Sequence, residues 1–142
     1  MADESWVGFA RSPKPDKSLV KAHFALTIET QTELPEIFRT ATTAAGLSLW
    51  LMPVVKADLK VAGKIEMLDD HFGRAVFTAV ELGRRVVINS EQFGEIEMLF
   101  AERKSNNELK LSFTKMVAAD AHADFLRNAE QAANQLEFRL GE

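Results

Sequence analysis

The stretch Gly94–Met116, GEIEMLFAERKSNNELKLSFTKM, reads as two strands and the turn between them. Ile96, Met98 and Phe100 recur at every second position, and so do Leu109, Leu111 and Phe113. Glu95, Glu97, Lys110, Ser112 and Thr114 fill the alternate places. Period two is the signature of a half-buried strand. Ser105-Asn106-Asn107 supplies turn chemistry between the two runs, so they are antiparallel neighbours.

The same pattern extends upstream to Pro53. Val55, Ala57, Leu59 and Val61 alternate with Lys56, Asp58 and Lys60, and Ile65 and Met67 with Lys64 and Glu66. RAVFTAV (74–80) and RRVVIN (84–89) follow. Ala62-Gly63, Asp69–Gly73, Leu82-Gly83 and Gln92-Phe93-Gly94 separate the runs. Six short-linked strands with one apolar face form an antiparallel meander covered on that face alone.

Helices flank the meander. Lys21–Ile28 alternates as a first strand, with Ala22, Phe24, Leu26 and Ile28 on one face. Leu34, Ile37, Phe38 and Ala41 then give a helical stripe to about Thr43, with Pro35 in the first turn and Thr32 or Glu33 near the cap. Gly46 is expected to break this helix, a second short one to carry Leu47–Met52, and Pro53 to stop it. After the meander, a long helix is expected from about Ala119 to Leu140, with Asp120 as its cap and Gly141 as its stop. Phe125, Leu126, Ala129, Ala132, Ala133, Leu136 and Leu140 are its apolar stripe. The class is α+β, in the order strand, two helices, six strands, helix, and burial is simplest if the sheet wraps the last helix. Residues 1–18, with SPKP at 12–15, read as a flexible arm, and 19–142 as one domain. Trp6 and Phe9 leave open a strap that covers a surface patch or a neighbouring subunit.

Composition narrows the function. The chain has 142 residues, a net charge of −4 and no cysteine. An acidic balance argues against nucleic acid, and the lack of cysteine excludes disulfides and thiolate chemistry. The acidic start, MADES, is unlike a secretory leader, and no apolar run has the length of a membrane span. The expected setting is the cytoplasm. His23, His71 and His122 have no metal-binding spacing, and no GxSxG or Gly-rich phosphate loop occurs. No metal or cofactor is expected.

The element order is that of the helix grip, and the chain resembles the START-like (SRPBCC) superfamily over about residues 20–140. Within it, the chain is similar to the activator of heat-shock-protein ATPase homologue family. Trp50, Asp58, Lys60, Gly63, Val80, Glu81, Leu82, Arg85 and Val86 match that family's positions. Ala62 stands where the first glycine of a pair is usual, and Ala123-Asp124-Phe125 replaces the Gly-Trp that often opens the last helix. The resemblance implies a pocket between the concave sheet and the last helix.

The leading expectation is therefore non-enzymatic binding of a small hydrophobic molecule there. Trp50, Met67, Met98, Phe100 and Phe113 are the expected lining, with Phe125 and Ala129 from the helix. Small alanines in mid-helix mean either close packing on the sheet or a void, and the Trp50 ring either fills the core or forms a pocket wall. Ser48, Thr78, Asn89, Ser112 and Thr114 are candidate polar contacts, and Arg85 is either a solvated partner of Glu81 or an anion contact. The alternatives are a protein-interaction module that contacts a chaperone through Lys56, Asp58 and Lys60, and a cyclase- or hydrolase-like enzyme using the same cavity. Monomer and homodimer both remain open.

Overall fold

The computed structural model describes residues 18–141. The N-terminal arm, with Trp6 and Phe9, lies outside them. Within them the chain runs β1 (Leu19–Thr30), α1 (Leu34–Thr42), α2 (Ala44–Trp50), β2 (Val54–Ala57), β3 (Lys64–Met67), β4 (Ala75–Glu81), β5 (Arg85–Ser90), β6 (Gly94–Glu102), β7 (Asn107–Ala118) and α3 (His122–Leu140). Single 3-10 turns at Asp70–Phe72 and Ala119–Ala121 precede β4 and α3. The seven strands form one sheet in the order β1-β7-β6-β5-β4-β3-β2, and every neighbouring pair is antiparallel.

Register follows the alternation. Ile96, Met98 and Phe100 on β6 face Phe113, Leu111 and Leu109 on β7. Leu111 and Phe113 in turn face Leu26 and Phe24 on β1. A one-residue slip would turn each of these sets to solvent, so the apolar face fixes the pairing. That face is concave and meets α3 through Phe125, Ala129, Ala132, Ala133, Leu136 and Leu140, all buried.

The two short helices are divided at a different residue from the expected one. Thr43 ends α1 and caps α2, where its hydroxyl accepts from the Gly46 N–H at 3.1 Å. Gly46 lies inside α2 and is buried. A Cβ there would sit 2.0 Å from the Thr40 carbonyl oxygen, so glycine permits the close approach of the two helices rather than breaking one. Helix α2 ends at Trp50, earlier than Pro53 requires, and Ser48 ties it to β2 by accepting from the Val54 N–H at 3.0 Å. At α3, Asp120 falls in the preceding 3-10 turn and the helix has no side-chain cap. The Ala119 N–H bonds instead to the Ser18 carbonyl at 2.8 Å, which ties the helix entrance to the start of β1.

The other end of α3 is held by β1 as well. The Thr30 and Thr32 hydroxyls both donate to the Leu140 carbonyl, the latter at 2.8 Å. These bonds satisfy a helix-terminal acceptor that has no partner within the helix.

The β2–β3 hairpin shows why glycine suits its tip. Gly63 has no room for a Cβ, which would lie 1.8 Å from the Asp58 carbonyl oxygen. Ala62 holds a φ of 67°, the left-handed conformation that costs an L-residue roughly 1–2 kcal/mol. Ala62→Gly should therefore raise stability, by about 0.5–1 kcal/mol after the added flexibility of the unfolded chain. Thermal denaturation would register this as a higher Tm, and an unchanged or lower Tm would count against strain at this position.

From the β6–β7 turn the Arg103 guanidinium donates to Glu108 of β7 at 3.0 Å, and Lys110 lies 3.8 Å away. The Arg103 hydrogen bond, aided by both positive charges, holds the Glu108 carboxyl below its usual 4.5 despite some opposing desolvation. A pKa depressed by folding adds stability above the unfolded value and loses it as pH falls through the folded one. Tm measured from neutral pH down into that range should fall less steeply in Glu108→Gln than in the wild-type protein. Parallel curves would show that the pair contributes nothing.

Candidate functional site

The expected lining residues do not all meet. Met98, Phe113 and Ala129 have no accessible surface, and Phe100 and Phe125 are also buried. A void that admitted water beside the first three would give them accessible area. The centre of the seam is therefore packed, with α3 lying on the sheet at its alanines. Met67 is elsewhere, half-buried in a groove between β3 and β4 that also carries Lys64, Glu66, Asp69, Asp70 and Arg74.

Trp50 marks the open end. It is the last residue of α2 and is buried against the core. Beside it runs a groove of about 470 Å³ between α3, the end of α2 and the β5–β6 turn. Leu51, Phe93 and Ala132 continue its apolar wall. Gln92 from the turn and Asn128, Gln131, Asn134 and Gln135 from α3 form its mouth. Phe93 is fixed from two sides: its N–H donates to the Ser90 hydroxyl at 2.8 Å, and its ring lies 5.7 Å from that of Phe113.

The Trp50 indole Nε1–H is buried and has no acceptor among the described residues. Leaving a buried donor unmade costs roughly 1–3 kcal/mol, so such a group requires an explanation. The buried hydroxyls are all occupied. Thr30 donates to Leu140, Thr42 donates to the Phe38 carbonyl at 2.7 Å, and Ser90 accepts from Phe93. No charged side chain is buried among the described residues.

The other candidate contacts lie away from this groove. Thr114 meets His23 Nδ1 at 2.9 Å on the outer sheet face, and Thr78 and Asn89 are exposed. Arg85 pairs with Glu97 at 2.8 Å across β5 and β6, although Glu81 lies opposite it in register. Lys60 contacts Asp58 at 3.4 Å on an exposed hairpin. Among the described residues no group of three His, Asp or Glu side chains is placed to hold a metal ion. No helix among them is long and apolar enough to cross a membrane.

The expected lining included Trp50 but none of the polar residues at the mouth of this groove. The signal was present in α3: Asn128, Gln131, Asn134 and Gln135 are spaced to share one helical face, and none carries charge.

Solved structures share this architecture. The fold is the helix grip. CalU16 from Micromonospora echinospora aligns over 87% of this chain and 85% of its own, with a TM-score of 0.65 and 14% identity. SA2116 from Staphylococcus aureus, a protein of unknown function, aligns over 86% and 94%, at 0.66 and 12%. DynU16, from the dynemicin biosynthetic locus, aligns over 83% of this chain and 46% of its own, at 0.62 and 11%. No family model and no curated protein matches the chain. The likeness thus stands on shape alone.

Proposed function

We propose that the protein binds a small, largely hydrophobic molecule at the Trp50 end of the seam between sheet and C-terminal helix. The observation that carries this reading is the buried indole N–H without an acceptor in a residue that walls the groove. A ligand with a carbonyl or ether oxygen would supply the acceptor and recover the cost of the unmade bond. The groove's volume lies within the roughly 300–1,000 Å³ of small-molecule sites, and an apolar wall with a few polar groups is their usual make-up. Its N–H has almost no accessible surface, so binding includes a small displacement of Trp50 or of a neighbour. Met98, Phe100, Phe113, Phe125 and Ala129 are the floor that a deeper ligand would reach by parting α3 from the sheet. One neighbour of this fold, DynU16, comes from a biosynthetic locus, a setting that accords with handling a small molecule.

A thermal-shift screen of apolar compounds, followed by calorimetry on the hits, tests the reading in the full chain. Trp50→Phe should leave the stability of the unliganded protein within about 1 kcal/mol of wild type, because the lost indole area is offset by removal of the orphan donor. The same substitution should weaken a hit about five- to tenfold, the worth of one hydrogen bond. Unaltered affinity in Trp50→Phe, or a screen in which no compound raises Tm, would sink the proposal.

A further inference from the structure

We infer that the ligand of this groove is an uncharged amphiphile whose polar end carries several hydroxyl or ether oxygens, as an alkyl glycoside does. The inference rests on the binding reading above and concerns the chemistry of the mouth. None of the residues lining the groove is charged, whereas the other three described grooves each carry at least one carboxylate.

The contrast is sharpest within α3 itself. Its exposed positions away from the groove include Asp124, Arg127, Glu130, Glu137 and Arg139, the usual content of a solvated helix face. The exposed positions that line the groove are Asn128, Gln131, Asn134 and Gln135. Asparagine is a poor residue for a helix interior, costing up to about 0.7 kcal/mol relative to alanine. Two such residues on one exposed face run against local preference, and departures of that kind mark functional surfaces.

The chemistry of the carboxamide defines its partner. Each offers two N–H donors and a carbonyl acceptor, and a hydroxyl both donates and accepts, so a polyol matches the mouth group for group. An ionised head would meet no opposite charge there. Two cations beside its lining residues are committed: the Lys115 ammonium donates to the Glu91 and Gln92 carbonyls at 2.6 and 3.4 Å, and Arg127, next to Asn128 in the chain, pairs with Asp124 at 2.8 Å. The apolar chain of the ligand would lie on Trp50, Leu51 and Phe93.

Titration calorimetry with three probes of equal chain length, each below its micelle-forming concentration, tests this. Octyl β-glucoside should bind at least tenfold more tightly than octanoate or octyltrimethylammonium. Asn134→Ala/Gln135→Ala should weaken the glucoside at least fivefold, with the Tm of the unliganded protein unchanged or slightly raised by the better helix formers. Equal or tighter binding of either charged probe, or a glucoside affinity indifferent to the double substitution, overturns the ligand class while leaving the groove as a binding site. If none of the three probes binds, the inference falls, and the groove as a site is decided by the thermal-shift screen and Trp50→Phe.

Discussion

Gly46→Ala should lower stability by about 3 kcal/mol, a loss of roughly 10 °C in Tm for a chain of this size. The added methyl would lie 2.0 Å from the Thr40 carbonyl oxygen, 2.6 Å from its carbonyl carbon and 2.8 Å from its Cα. All three are backbone atoms, and no rotamer change relieves the clash. Helix α2 would have to move away from α1, and Leu47 and Trp50, both buried, would move with it. Because Trp50 walls the groove, ligand affinity should fall together with stability. Urea denaturation measures the first and calorimetry the second. A near-neutral substitution would show that the junction between the helices yields easily.

Ala129→Leu should destabilise the protein by about 2 kcal/mol, as overpacking of a filled core does. Ala129 has no accessible surface, so the extra carbons have no space to enter. The substitution also reports the depth of the ligand. A molecule held at the mouth, by Trp50 and the carboxamides, should keep its affinity within about threefold, because no contact there is removed. Abolished binding in a folded Ala129→Leu protein would place the ligand in the seam. An unaltered Tm would reveal a void beside the helix.

The legible parts of this molecule are those where one physical requirement dominates. Ile96, Met98 and Phe100 alternate because one sheet face must be buried, and their pairing with Phe113, Leu111 and Leu109 follows once the turn at Ser105–Asn107 is recognised. The stripe of α3 was readable for the same reason. The α1–α2 boundary was not. Gly46 looks like a breaker in sequence, and only the approach of Thr40, six residues earlier, shows that it is a spacer. The centre of the seam was undecided from sequence because alanine is compatible both with a void and with contact. Sequence does not give the distance between helix and sheet that separates the two. The mouth was missed because carboxamides on an exposed face look like ordinary solvated residues until a neighbouring element turns that face into a wall. Here that element is the β5–β6 turn with Phe93, itself readable only as turn chemistry.

The clasp between Thr30 and Leu140 joins residues 110 positions apart, and β1 finds its partner strand only in β7. Contacts of such long range form late and slowly, because the intervening chain must be closed into a loop first. On a ribosome, the first strand would wait with an unpaired edge until β7 has emerged, and the β1 end of the grip could not lock until α3 followed. Until β7 emerges, β1 keeps both edges unpaired, which leaves it open to wrong pairing during synthesis. A chain cut short before α3 would then be left unable to close, not merely less stable.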